Sequence, residues 1–254
     1  MRKRFENKTG VITGGSGGIG AETARILLEE GAKILIVDID GDALKKVTEE
    51  INSPNLHTFT ADVSDEKQVK AYADKAKELF GHVDLFLNNA GIEGKVLPLD
   101  EYPMDLYHKL IAINVNGVYY GMRFLWPLMK NNGGSVVITS SVAGIVGTAN
   151  VLPYVTSKHA VNGLMKSAAL EGAQYNIRVN AINPSPVDNR MMRSLEEGFA
   201  PGQAEAAKKG FEDSIPLKRY ATNAEVANLA LFLLSEESSF ITGTTNPVDG
   251  GMTA

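Results

Sequence analysis

The chain has 254 residues, a formal net charge of −5 and 44% hydrophobic residues, enough apolar material for a sizeable core and too much for a disordered chain. It has no cysteine, which excludes disulfides, thiolate catalysis and cysteine-bound zinc, and its four histidines, His57, His82, His108 and His159, lack metal-ligand spacing. After the basic start at Arg2-Lys3-Arg4 no basic run exceeds two residues, no apolar run reaches the roughly 18 residues of a membrane span, and no signal-peptide core is visible. A cytoplasmic protein with no nucleic-acid or membrane partner is expected.

The first element is a short apolar strand, Gly10–Thr13. Five glycines follow within Gly14–Gly20, and then a helical pattern over Ile19–Glu30. Glycine in regular structure costs about 1 kcal/mol relative to alanine, so the bare backbone needs a reason. A helix N-terminus offers unpaired N–H groups and a positive dipole end, which suit a phosphate that side chains would hold away. Two registers fit a dinucleotide loop: Gly15, Gly17 and Gly20, or Gly14, Gly18 and Gly20. A P-loop is excluded because Ala21-Glu22 follows Gly20.

The second strand, Lys33–Val37, runs into Asp38, about 20 residues beyond the loop, where a carboxylate accepts hydrogen bonds from ribose hydroxyls and repels a 2′-phosphate. No Lys or Arg lies in the glycine loop or at Ile39 and Asp40, so NAD is expected over NADP. A methyltransferase shares the glycine loop and the acidic strand end, and stays open at this point.

A helix at Asp42–Ile51, a strand at Leu56–Thr60, a helix at Asp65–Phe80 and a strand at Val83–Leu87 come next. That strand runs into "LNNAG". A helix over Met104–Lys130 is apolar around nearly its whole circumference, which predicts burial on all sides and therefore a subunit interface. Asn114 lies inside it, where asparagine competes with backbone hydrogen bonds. The strand Ser135–Thr139 ends in Ser140 and Ser141, at the end of a parallel strand where ligands bind.

"YVTSK" opens the helix Tyr154–Tyr175, with Pro153 suited to a helix start. Tyr154 and Lys158 are four apart and share a face. An ammonium beside a phenol favours phenolate, and a drop of about three pKa units would take roughly 4 kcal/mol. That would make Tyr154 a usable acid and base. A strand at Ile177–Ile182 is followed by a long irregular region, Asn183–Pro216. It carries Met191, Met192, Leu195, Phe199 and Phe211 and is expected to act as a lid over about 185–216, with a pair of short helices packed on the surface as the alternative. A helix over Asn223–Leu234 and a strand at Thr244–Val248 end the series, and Pro247 suggests an edge or a bulge. Strand and helix alternate without a linker, which predicts one domain with a mostly parallel sheet covered on both faces.

Taken together, "TGGSGGIG", "LNNAG", "AINVNG", "TSS" and "YVTSK" resemble the short-chain dehydrogenase/reductase family, from about Asn7 to the terminal "DGG" at Asp249–Gly251. The resemblance implies a Rossmann-like doubly wound α/β domain with seven strands in the order 3-2-1-4-5-6-7. It selects the Gly14, Gly18, Gly20 register, with Ser16, Gly17 and Ile19 in the same loop. Asp38 and Ile39 would meet the ribose, Asp62 and Val63 the adenine, and Asn89, Ala90 and Gly91 the adenine-ribose side. Tyr154 would exchange the proton, Lys158 would lower its pKa and bind the nicotinamide ribose, Ser141 would polarise the carbonyl, and Asn114 would bend its helix and hold a relay water.

Pro184, Val187 and Asn189 would also bind the cofactor, Asn189 at the nicotinamide carboxamide. Here the chain departs from the family pattern, with Pro184-Ser185 in place of Pro-Gly and Asn189 in place of a threonine. The pocket wall would include Glu93, Val142, Ala143, Ile145, Val146, Met191 and Met192. The implied function is NAD-dependent oxidoreduction of a medium-sized, weakly polar secondary alcohol or ketone by a homotetramer. The alternatives are a 3-oxoacyl-thioester reductase, a sugar or polyol dehydrogenase, an epimerase or dehydratase on the same fold, and a catalytically silent NAD-binding regulator.

Overall fold

The computed structural model describes residues 3–254; Met1 and Arg2 of the basic start lie outside the described residues. Seven strands form one sheet: β1 (Thr9–Thr13), β2 (Lys33–Asp38), β3 (Leu56–Thr60), β4 (Leu85–Asn88), β5 (Gly134–Thr139), β6 (Ile177–Pro184) and β7 (Thr245–Val248). Their order is β3-β2-β1-β4-β5-β6-β7 and every pairing is parallel. β4 begins two residues later than its apolar pattern predicts. Leu85 pairs with Gly10 and Asn88 with Thr13, which brings Asn88 into the strand. Pro247 sits on β7, an edge strand, where its missing N–H costs no ladder bond.

Helices α1 (Gly18–Glu29), α2 (Gly41–Ile51) and α3 (Glu66–Phe80) follow the first three strands. Asp40 caps α2 and Asp65 caps α3 through their side chains. The predicted helix over Met104–Lys130 is three pieces: α4 (Met104–Ile111), one π-helical turn at Ala112–Asn116, and α5 (Gly117–Met129). The π turn coincides with Asn114. Val118, Met122, Leu125 and Met129 of α5 face the core, while Tyr119 is half exposed on the other side.

Helix α6 (Leu152–Ala173) follows β5 and starts with Pro153 in its first turn. Asn183–Pro216 holds the pair of short helices that was the alternative to an irregular lid. β6 runs on to Pro184, and two helices follow, α7 (Arg190–Phe199) and α8 (Ala204–Ser214). The signals were present: Asn189 caps α7 with its side chain, and Met192, Leu195 and Phe199 recur at helical spacing. Pro201, Gly198, Gly202 and Gly210 masked them. Helix α9 (Asn223–Leu234) opens on a capping box between Thr222 and Glu225.

Two apolar layers enclose the sheet. One joins Tyr72, Phe86, Leu125 and Met165 beneath α3, α5 and α6; the other joins Leu27, Ile34, Leu87 and Leu231 beneath α1 and α9. β1, β4, β5 and β6 therefore end along one rim of the sheet, at Thr13, Asn88, Thr139 and Pro184. Among the described residues no helix is long and apolar enough to cross a membrane.

Candidate active site

The glycine turn lies on that rim, after β1. Gly14 has φ +64, a conformation that side chains resist, and a Cβ at Gly20 would stand 2.2 Å from the Gly14 carbonyl oxygen. Gly17 differs: the nearest atom to a Cβ there is the Gly14 oxygen at 3.5 Å. Gly17 is also the N-cap of α1 and makes no side-chain capping bond, so the helix start keeps free N–H groups for a phosphate. A side chain at Gly17 would fill this cradle. The Asp38 carboxylate accepts from the Ser16 N–H at 3.1 Å and the Ser16 hydroxyl at 2.6 Å, which holds it at the mouth of the loop. No described Lys or Arg pairs with it, and Ile39 beside it is exposed.

Asp62 Oδ1 accepts from the backbone and hydroxyl of Ser64, while Val63 is buried against the place where a Gly117 side chain would stand. Asn89 ties strands together. Its Nδ2 donates to the Gly14 carbonyl at 3.2 Å, its N–H donates to Thr13 Oγ1 at 3.0 Å, and its Oδ1 accepts from Thr139 Oγ1 at 3.0 Å. Ala90 N–H also donates to Thr13 Oγ1. The turn after β4 is thus braced to the glycine turn and to the end of β5.

Thr139 continues the chain of contacts, because its carbonyl accepts from Lys158 Nζ at 2.8 Å. Lys158 is buried, and its ammonium lies 5.5 Å from the centre of the Tyr154 ring. Asn114 holds the loop after Gly91. Its Oδ1 accepts from Ile92 N–H at 2.9 Å, and its Nδ2 donates to the Ile92 carbonyl at 2.9 Å and to Ser157 Oγ at 3.1 Å. Ser157 in turn donates to the Tyr154 carbonyl at 2.8 Å. Gly91 is wedged between these groups, since a Cβ there would stand 3.3 Å from Asn114 Oδ1 and 3.7 Å from Lys158 Nζ.

The two serines after β5 separate cleanly. Ser140 is buried and donates to the Lys158 carbonyl at 3.1 Å, a structural contact. Ser141 Oγ accepts from Ala143 N–H at 3.1 Å and faces the Tyr154 phenol. Asn183 Nδ2 fixes the Ser141 carbonyl at 2.8 Å, and Asn162 Nδ2 fixes that of Gly144 at 2.9 Å. Sequence reasoning passed over Asn183, Asn162, Ser157 and Thr139. Each is a polar residue at a position that reads as strand or helix core, and its partner is remote in sequence.

The electrostatics depart from expectation. Burial pushes the Tyr154 phenol up to about 12, the nearby Ser141 hydroxyl opposes that shift, and the negative charge of Glu93 adds to it. Burial also pushes Lys158 down to about 8. The cleft strips water from both groups, and desolvation favours each in its neutral form.

Glu93 is buried and meets Arg190 Nη1 at 3.8 Å across the cleft. Val142 and Ala143 are buried, and Ile145 and Val146 are partly exposed. Met191 is half buried. Met192 is buried and packs with Ile215 and Tyr220. Glu196 anchors that unit: its buried carboxylate accepts from Tyr220 Oη at 2.9 Å and Arg193 Nη1 at 2.9 Å.

Ser185 N–H donates to the Val248 carbonyl at 3.3 Å, and Val187 pairs with Ala221 in an isolated bridge. Asn189 Oδ1 is occupied by the N–H groups of Met191 and Met192, which leaves its Nδ2 as a donor toward a carboxamide oxygen. The free helix start at Gly17, the acceptor at Asp38 and the donors at Lys158 and Asn189 fit a nicotinamide dinucleotide. Among the described residues no group of three or more His, Asp or Glu is placed to hold a metal ion.

The glycine turn, the sheet order and the convergence of Asn114, Ser141, Tyr154 and Lys158 define a nicotinamide-dependent oxidoreductase. A family model described as enoyl-(acyl carrier protein) reductase matches residues 14–253. The chain belongs to the short-chain dehydrogenase/reductase family. It is 39% identical to levodione reductase of Leifsonia aquatica, over 99% of this chain and 96% of that protein. It is 35% identical to cyclohexanol dehydrogenase of Acinetobacter sp. (strain SE19), over 100% of this chain and 98% of that protein. The crystal structure of a levodione reductase superposes with a TM-score of 0.94 over 98% of both chains, at 39% identity. That of an NAD+-bound xylitol dehydrogenase gives 0.92 over 98% of this chain and 100% of that one, at 33% identity.

Proposed function

We propose that the protein interconverts a medium-sized secondary alcohol and its ketone, with NAD(H) preferred over NADP(H), and that residues 185–216 close over the substrate. The observation that carries this reading is the placement of the Ser141 hydroxyl against the Tyr154 phenol at the end of β5, with Lys158 held one helical turn away. When bound, the nicotinamide supplies the hydride acceptor or donor. Ser141 and Tyr154 hold the substrate oxygen. In oxidation Tyr154 Oη takes the hydroxyl proton, and in reduction it returns one. Lys158 Nζ, a donor already oriented by Thr139, steadies the phenolate. Asn114 keeps the loop at Ile92 and the first turn of α6 in register. The apolar edge at Ile145 and Val146 excludes water from the reacting carbon.

The relatives named for levodione, cyclohexanol and xylitol support an alcohol or carbonyl substrate. The preference for NAD rests on Asp38, which stands where a 2′-phosphate would meet a carboxylate and no paired cation. A panel of secondary alcohols, polyols, ketones and a 3-oxoacyl thioester, each with NAD(H) and NADP(H), tests the reading by absorbance at about 340 nm, the nicotinamide band. Turnover of ring or chain alcohols with NAD supports it. Binding of NADH with no turnover on the whole panel would return the silent regulator, and turnover of the thioester alone would move the protein to acyl reduction.

A further inference from the structure

We infer that Glu93 is a specificity-determining residue: its carboxylate accepts a hydrogen bond from a second hydroxyl of the substrate, so that the preferred substrates are diols and hydroxyketones. This rests on the alcohol–ketone reading of the same site. Its starting point is a carboxylate that has no role in the fold. The Glu93 side chain is 9% exposed, yet none of its oxygens takes part in a hydrogen bond within the described residues. Its one charged neighbour, Arg190 Nη1, stays at 3.8 Å, beyond hydrogen-bond distance, on a side chain that is 79% exposed. A buried carboxylate is costly unless it is paired and hydrogen-bonded. Glu196, the other buried glutamate of the cleft region, meets that condition with two donors at 2.9 Å. Glu93 does not, so its acceptor capacity is open toward the cleft.

The position of Glu93 is imposed rather than accidental. Asn114 clamps both backbone groups of Ile92, the preceding residue, so the direction of Glu93 is set by the same side chain that shapes the π turn. A Cβ on Gly91, two residues before, would stand 3.7 Å from Lys158 Nζ, so this stretch of backbone runs beside the lysine. The negative charge of Glu93 acts on the Tyr154 phenol. A monofunctional alcohol offers this carboxylate no donor. A hydroxyl on a neighbouring or next carbon supplies the donor, and hydrogen bonds to charged groups are worth roughly ten- to a hundredfold in an equilibrium. The apolar remainder of the wall at Val142, Ala143 and Ile145 then takes the carbon frame.

The experiment compares matched pairs: cyclohexane-1,2-diol against cyclohexanol, and butane-2,3-diol against butan-2-ol, with NAD and wild-type enzyme. The expected result is a kcat/KM ratio favouring the diol by about tenfold or more, carried mainly by KM. Glu93→Met removes the acceptor at similar length and should bring the ratio to about one. Glu93→Gln keeps one acceptor oxygen and should fall between. NADH binding, followed by fluorescence, reports whether each variant is folded, and the Gln variant serves if the Met variant is not. A wild-type ratio near one, or a ratio unchanged in both variants, overturns the inference while leaving the alcohol–ketone reading intact. Failure of every alcohol in every form overturns the reading on which it rests.

Discussion

Lys158 Nζ donates to the carbonyl of Thr139 at 2.8 Å, and Thr139 Oγ1 donates to Asn89, which donates to Gly14. Lys158 and the glycine turn are therefore joined by three hydrogen bonds across the ends of three strands. The proposed dinucleotide and proton-transfer residues are parts of one braced rim. Thr139→Val removes the side-chain bond to Asn89 and leaves the backbone contact to Lys158. It should weaken NADH binding several-fold, with a smaller effect on kcat at saturating cofactor. Fluorescence titration beside steady-state kinetics would show the split, and an effect confined to kcat would contradict it.

Tyr154→Phe should lower kcat by about 10²- to 10⁴-fold, the range for a lost proton-transfer group, with NADH affinity unchanged within about twofold. Ser141→Ala should lower it by roughly 10²- to 10³-fold, as for a lost donor to a developing oxyanion. Ser140→Ala should behave differently, because Ser140 is bonded to the Lys158 carbonyl inside the structure. Its cost should appear in thermal stability rather than in the chemical step. Equal losses of kcat for the two serines would refute this division.

Asp38→Ala should shift the NAD/NADP ratio of kcat/KM toward NADP by roughly tenfold or more, since a like-charge contact costs several kcal/mol. Kinetics with both cofactors measure the shift. An unaltered ratio would mean that another residue discriminates.

Lys158 carries a pH-dependent stability penalty. Its folded pKa, about 8, lies below the ordinary lysine value of 10.5. Stability linked to this group is fully present above the unfolded value and is lost as pH falls toward the folded one, because the unfolded chain binds the proton first. Lys158→Met removes that loss. Relative to wild type, the variant should gain about 3 kcal/mol more stability at pH 7 than at pH 10.5, and it should have almost no activity. Denaturant unfolding at the two pH values checks the difference. A pH-independent difference would show that the lysine titrates normally.

Tyr220→Phe removes a donor from the buried Glu196 carboxylate and leaves Arg193 as its remaining partner. A loss of about 1–3 kcal/mol is expected for such an under-satisfied buried group. If α7 and α8 act as a lid, KM should rise more than kcat falls. A stability loss with unchanged KM would separate this anchor from substrate closure.

Much of this protein was legible in one dimension. Strand and helix periods, the glycine turn and the Asp38 strand end are local patterns with local causes, and they led to the correct sheet order once the motifs were read together. Ser140 and Ser141 are equivalent neighbours in sequence; only packing gives one to the Lys158 carbonyl and turns the other to the phenol. Met192 shares a helix with Met191, and tertiary contact with Ile215 and Tyr220 decides that it faces inward.

The sign of the Tyr154 and Lys158 shifts was also beyond the sequence. Four-residue spacing predicts a charge pair, but the folded cleft removes water from both groups, and desolvation depends on every atom around them. The chain by itself determined which elements form and which residue types line the rim, because those follow from short-range periodicity and backbone sterics. Tertiary structure alone decided which polar atoms are matched, which stay open as at Glu93, and how far burial moves a proton, because those depend on partners that lie tens of residues apart.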